Sequence, residues 1–129
     1  MSQVKIFSTK AHLDAARARI SDAIHASAME ALGLPSEKRF HRFFALDPQD
    51  FVFPPNRSSK YTIIEVSMFE GRSVEAKKAF IRLLFDKLWQ SCEIAPQDVE
   101  ITVFETPRHN WGIRGAPGDE LALNYKVDV

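Results

Sequence analysis

Residues 61–85 change their hydrophobic periodicity at a single point, and this change restricts the fold more than any other feature of the sequence. From 61 to 69 the chain is rich in alternating β-branched and aromatic side chains, as strands are. Gly71 then permits a tight turn, and Ser73 is a natural helix N-cap. The apolar residues that follow recur at helical spacing: Val74, Phe80, Ile81, Leu84, Phe85 and Leu88. With a second strand at 100–105, the stretch predicts a βαβ unit.

The first half of the chain repeats the same order of elements. A short strand is predicted at 4–7, and Thr9 can cap a helix that Gly33 and Pro35 end. A second strand is predicted at 39–46. One face of this helix is apolar: Leu13, Ala16, Ile20, Ile24, Ala28 and Leu32.

Together the halves predict a single α/β domain, an α+β sandwich of two β-α-β units. Residues 2–46 and 61–105 are interpreted as pseudo-repeats, and 106–129 as a C-terminal extension. A chance likeness of two ordinary α/β units remains the alternative. Right-handed crossovers place both helices on one face of a four-stranded mixed sheet.

The face of the sheet without helices is expected to take part in oligomerisation. Alternation along 61–69 separates Ile64, Val66 and Met68 from the neighbouring side chains, and we expect these three on the uncovered face. An exposed apolar patch of this kind is usually an interface.

Composition excludes several classes of function. Seventeen basic and seventeen acidic residues cancel, so neither nucleic acid nor a membrane surface is predicted as a partner. Apolar runs are short and the N-terminus lacks a signal-peptide pattern, and with a single cysteine, Cys92, this predicts a cytoplasmic protein. Four histidines show no zinc-site spacing, and nucleotide-binding motifs are absent, so neither a metal nor a cofactor is predicted.

After a loop at 106–118, we expect a helical turn at 119–123 and a short strand at 125–129.

Five short motifs carry a family resemblance: Gly33-Leu34-Pro35, Arg39-Phe40, Arg57-Ser58-Ser59, Gly71-Arg72-Ser73 and Asn110-Trp111-Gly112. With the β-α-β repeat, they resemble the tautomerase superfamily, in particular its malonate semialdehyde decarboxylase-like branch. The resemblance implies a cofactor-free homotrimer that acts on a small molecule bearing a carboxylate.

The resemblance also implies which residues form the site. The family's catalytic group is an N-terminal proline exposed by removal of the initiator methionine, and here Ser2 occupies that position. A primary amine on Ser2 has an unperturbed pKa of about 7.7–8.0 and can exchange a proton near neutral pH.

Four further residues are expected to bind the substrate. Arg72 matches one of the two carboxylate-binding arginines of the decarboxylase branch, and Arg39 or Arg114 can assist it, while Trp111 can form a wall of the pocket. Glu70 replaces the branch's other arginine, and Lys38 replaces its acidic water-activating residue. Two functions therefore remain open: a keto-enol tautomerase or isomerase, and a non-catalytic trimeric binding or structural protein.

Overall fold

The computed structural model describes residues 2–129. Its elements, in chain order, are β1 (Ser2–Thr9), α1 (Lys10–Leu32), β2 (His41–Leu46), β3 (Thr62–Phe69), α2 (Val74–Cys92), β4 (Val99–Thr106), β5 (Gly112–Ile113) and β6 (Ala116–Pro117). Short 3-10 turns lie between several of them. Within these residues no helix is both long and apolar enough to cross a membrane.

Both long helices begin and end at residues suited to those positions. The Thr9 side chain accepts a hydrogen bond from the amide of His12, and the Ser73 side chain accepts one from Ala76. Gly33 ends α1 in the left-handed conformation, with a φ of 68°. Glu93 ends α2 in the same conformation, with a φ of 54°, although it carries a Cβ. The predicted helices and caps are confirmed.

The main sheet has the order β2-β1-β3-β4. Each βαβ unit forms a parallel pair, and the two units join through antiparallel pairing of β1 with β3. Both helices pack on one face over a core that includes Ile6, Ile20 and Leu84. The fold class predicted from the sequence is confirmed, while the interpretation of 2–46 and 61–105 as pseudo-repeats stays a prediction.

The predicted assignment of the two sheet faces is wrong. Ile64, Val66 and Met68 are each at most 1% exposed and form part of the core beneath the helices. The alternate residues of β3, Ile63, Glu65 and Ser67, lie on the uncovered face and are partly exposed. The physical reason is that the helices cover the more apolar of the two sets, because that burial is the more favourable.

The C-terminal extension differs from its predicted secondary structure. A 3-10 turn forms at Gly118–Glu120, and residues 125–129 form no strand. Instead, these last residues cover the turn between β3 and α2. The amide of Ser73 donates a hydrogen bond to the Val129 carbonyl at 2.9 Å, and Val127 is buried.

Candidate functional site

A groove of about 410 Å³ lies at the end of the sheet where β1 begins. Three parts of the chain contribute to it: the start of β1, the residues before β2, and the β5–β6 hairpin. Its lining residues are Gln3, Lys38, Phe40, Trp111, Gly112, Ile113 and Arg114. Of the predicted site residues, the groove therefore brings together Trp111 and Arg114.

Trp111 is held in place by contacts on several sides. Its ring packs edge-to-face against Phe69, with centroids 5.2 Å apart, and its Nε1 donates a hydrogen bond to the hydroxyl of Thr106. Its carbonyl accepts a hydrogen bond from Gly118 at 2.8 Å. A Cβ at Gly118 would lie 2.6 Å from the Arg108 carbonyl oxygen, so the loop closes this tightly only with glycine. Trp111 thus forms a fixed aromatic wall.

Arg114 is presented by the tip of the β5–β6 hairpin. Arg114 and Gly115 form the two-residue turn, with φ values of 51° and 85°. Two successive positive φ values are the signature of a type I′ turn, which matches the twist of a hairpin. The local backbone therefore places an exposed guanidinium at the edge of the groove.

The groove is cationic. Lys38 and Arg114 line it, and none of its lining residues is acidic. The same two residues border a second cavity of about 180 Å³, which Asn124 and Tyr125 of the C-terminal extension also line. An anion in either cavity would therefore meet two positive side chains.

Arg72 lies beneath the C-terminal extension and outside both linings. Its side chain is 5% exposed, and Nη1 donates a long hydrogen bond of 3.4 Å to the Phe69 carbonyl. Among the described residues, Nε and Nη2 have no partner with good hydrogen-bond geometry. Burial lowers the pKa of the guanidinium, while Tyr125 and Glu105 nearby act to raise it. The charged form is therefore only partly satisfied, and Tyr125 is the polar group through which it can act on the second cavity.

Ser2 begins β1 opposite Met68 and is 7% exposed. The next residue, Gln3, points to the other face, lines the groove and accepts a hydrogen bond from Arg42 at 2.9 Å. Ser2 therefore adjoins the groove through the backbone without lining it with its side chain. Removal of Met1, on which the predicted amine depends, lies outside the described residues.

Arg39 is directed away from the groove. Its Nη1 lies 2.6 Å from an Asp22 carboxylate oxygen and 3.5 Å from the Ser21 hydroxyl, both on α1. His109 is exposed and does not line the groove either. Among residues 2–129, no cluster of His, Cys, Asp or Glu could hold a metal ion.

Sequence reasoning missed Lys38, Gln3 and Tyr125 as site residues. Lys38 was identified only as a departure from the resembled branch. The available signal was its position two residues before Phe40, because the Arg39-Phe40 motif marks the start of β2. For Tyr125 there was none, because only the folded extension brings it near Arg72 and Lys38.

The family profile of the tautomerase enzymes matches residues 38–114, which is more than half of the chain and contains all the groove residues except Gln3. The chain belongs to the tautomerase family. A 2-hydroxymuconate tautomerase from Comamonas testosteroni is 35% identical over 57 residues, which are 44% of this chain and 90% of that protein. That relative is therefore about the length of one βαβ unit.

Solved tautomerase-family structures match nearly the whole chain. The FG41 malonate semialdehyde decarboxylase, crystallised with 3-bromopropiolate as inhibitor, is 28% identical at a TM-score of 0.81, covering 94% of this chain and 98% of its own. A native fused 4-OT is 20% identical at a TM-score of 0.80, covering 92% and 98% respectively, and shows the shared fold.

Proposed function

We propose that this tautomerase-family protein is a cofactor-free keto-enol tautomerase or isomerase acting on a small 2-oxo or enol carboxylate. The observation that carries the proposal is the groove beside the start of β1, in which Lys38 and Arg114 are paired with the aromatic side chains of Phe40 and Trp111. Two cations can bind a carboxylate, and aromatic walls suit a planar conjugated chain.

The proposed base is the amine of residue 2 after removal of Met1. Enolisation requires a base within hydrogen-bond reach of the proton on the carbon next to the oxo group. The amine would take that proton as the electrons move to the oxo oxygen, and the proton would then pass to that oxygen to give the enol. Burial and neighbouring cations both lower an amine pKa towards neutrality, which favours this role. Arg72, which interacts with Tyr125 of the second cavity, supplies further positive charge.

Isomerisation is favoured over the decarboxylation that the name of one structural relative describes. In this chain Lys38 stands at the place of that branch's acidic residue, and Glu70 stands at the place of one of its arginines. A lysine cannot activate water as a carboxylate does at neutral pH, because it carries a proton there.

The alternative is a non-catalytic trimeric binding or structural protein. One observation favours it: residue 2 is a serine whose side chain is buried in β1 opposite Met68 instead of a proline open to the groove. Under this alternative the groove binds a small acid without converting it.

We further propose a cytoplasmic homotrimer. Fused 4-OT proteins that share the fold at 17% identity are described as trimers. The sheet face without helices exposes large apolar side chains, including Phe44 and Phe104, which an interface would cover. The cytoplasmic location is supported by Cys92, a buried free thiol and the one cysteine of the sequence.

The test is the keto-enol conversion of phenylpyruvate, followed with Met1 removed and with Met1 retained. Retention displaces the amine by one residue, about 3.3–3.6 Å along an extended chain, and should abolish most of the activity. Equal rates for the two forms would remove the amine from the mechanism. Binding without turnover in both forms would favour the non-catalytic alternative.

Binding to the groove is tested separately with Lys38→Met and Arg114→Met. Each should weaken the affinity for a small carboxylate by roughly tenfold, about 1.4 kcal/mol. Arg39→Met is the matched control, since Arg39 pairs with Asp22 and should leave the affinity unchanged. If all three variants bind as the unmodified protein does, the groove is not the acid site.

A further inference from the structure

Tyr125 links the buried Arg72 to the cationic cavities. It lines the second cavity together with Lys38 and Arg114, and it packs against the small cluster of Phe69 and Val127. The Tyr125 hydroxyl and the Arg72 guanidinium interact, although Arg72 lines neither cavity. A ligand that reaches the second cavity would therefore meet Tyr125, with the charge of the buried Arg72 behind it.

The surroundings of Tyr125 favour a protonated phenol with a polarised O–H bond. Burial raises its pKa, and the positive charges of Arg72, Arg108 and Arg114 act in the opposite direction. The hydroxyl therefore keeps its proton at neutral pH. The arginines also stabilise negative charge on the phenol oxygen, which strengthens the hydroxyl as a hydrogen-bond donor.

We propose that Tyr125 is a specificity-determining residue that donates a hydrogen bond to the oxo or enol oxygen of a 2-oxo acid whose carboxylate lies against Lys38 and Arg114. This inference rests on the proposed function of the groove. Arg72 then acts through Tyr125 as a positioning residue and does not bind the carboxylate directly.

The arrangement matches the shape of a 2-oxo acid. Its oxo oxygen is on the carbon next to the carboxylate, so two different kinds of group must contact adjacent atoms of the ligand. Lys38 and Arg114 line both cavities, and Tyr125 lines the second cavity with them and is within range of the Arg114 charge. A site that donates a hydrogen bond to one ligand oxygen discriminates against an analogue without that oxygen, because its polar group is then left unpaired.

The hydrogen bond from Tyr125 to the oxo oxygen would also assist enolisation. As the proton leaves carbon, negative charge develops on the oxo oxygen. A donor already in place stabilises that charge without reorganisation. Tyr125 would thus contribute both to selection of the ligand and to the rate.

The test compares benzoylformate, a 2-oxo acid without an enolisable proton, with phenylacetate, which has CH₂ in place of the oxo group. Neither can be tautomerised by the protein, so calorimetry reports binding alone. The unmodified protein should bind benzoylformate roughly tenfold or more tightly, and Tyr125→Phe should reduce this ratio to near one with little change for phenylacetate. Arg72→Met should reduce the same ratio, because the phenol loses its positioning charge.

Tyr61→Phe is the matched control, since it removes the other tyrosine hydroxyl, at the opposite end of β3. It should keep the full ratio. A ratio that is near one in the unmodified protein, or that survives in Tyr125→Phe, overturns the inference and leaves the acid site intact. Failure of the unmodified protein to bind either acid overturns the proposed function itself.

Discussion

At the scale of single residues, His41 makes the stability of the fold depend on pH. Burial is the main cause that lowers its pKa to about 4, Arg39 and His25 act in the same direction, and Asp22 opposes them. Above about pH 6.5 the imidazole is neutral in both the folded and the unfolded chain. Between pH 6.5 and 4 the unfolded chain binds a proton that the folded chain does not, so stability falls as the pH falls.

We therefore expect the free energy of unfolding to decrease by up to about 1.4 kcal/mol per pH unit in this range through His41. Urea titrations at several pH values measure it. His41→Gln should reduce the slope by up to one proton, and a smaller slope should remain because the pKa of His12 is also lowered. His109→Gln, at an exposed position, is the control. An unchanged slope in His41→Gln would contradict the assignment.

Individual residues also differ in how well the sequence identifies them as parts of the candidate site. Trp111 was predicted because it belongs to a short motif, and Arg114 because the family resemblance implies an assisting arginine. The β5–β6 hairpin that presents Arg114 was not predicted, since a loop was expected at 106–118. Arg39 was predicted equally well by motif, but one contact with Asp22 turns its side chain away from the groove. The position of Tyr125 depends on how residues 107–125, with their short hairpin and 3-10 turns, fold back onto the sheet, and no local periodicity encodes that path.

At the scale of elements, Gly71 allows the C-terminal extension to lie against the start of α2. Its φ is 129°, and a Cβ there would lie 2.6 Å from the Asp128 carboxylate and 3.1 Å from Val127. Gly71→Ala should lower the free energy of unfolding by about 1–3 kcal/mol and speed hydrogen exchange at the Ser73 amide, which bonds Val129. Gly33→Ala is the comparison, because its φ of 68° lies in the left-handed region that residues with a Cβ adopt at smaller cost, and a Cβ there meets no atom within 4 Å. Equal behaviour of the two variants would show that the extension does not depend on Gly71.

A substitution at the C-terminal end of α2 should increase the stability of the fold. Glu93 has a φ of 54°, a conformation that costs a residue with a Cβ roughly 1–2 kcal/mol, whereas glycine adopts it freely. Glu93→Gly should raise the free energy of unfolding by about 0.5–1 kcal/mol, after the greater entropy of glycine in the unfolded chain is subtracted. The Lys60 ammonium donates to the backbone carbonyl of this residue, so that bond is retained. A lower urea midpoint in Glu93→Gly would contradict the argument.

Secondary structure was predictable from the sequence where local signals agreed with each other. Periodicity, Thr9 and Ser73 caps and the Gly33 stop all indicated the same helices. The face of β3 was predicted wrongly because both alternating sets contain isoleucine. The polar residues identify the uncovered face, because Glu65 and Ser67 belong to one set, and that set lies away from the helices. The strand predicted at 125–129 alternates correctly, but its backbone bonds the turn before α2 instead of a sheet edge.

At the scale of the whole molecule, the corrected face assignment changes how assembly must be tested. Val66, which the sequence placed at the interface, lies in the core, so Val66→Lys would unfold the subunit before it could report on assembly. On the uncovered face, the rings of Phe7 and Phe44 stack with centroids 4.7 Å apart, and Phe44 is 38% exposed. Charged side chains of Lys5, Arg42 and Glu65 share this face.

Phe44→Asp should therefore dissociate the proposed trimer without unfolding the chain. In a trimer the new carboxylate would be buried without a partner at the interface, whereas in a monomer it would be solvated. Sedimentation velocity at micromolar concentration should give a mass near that of three chains for the unmodified protein and near one for the variant, with unchanged circular dichroism. Trp89→Asp is the matched control, because Trp89 is a large aromatic residue, 55% exposed, on α2 away from that face. A monomeric unmodified protein, or equal dissociation in both variants, would contradict assembly through the uncovered face.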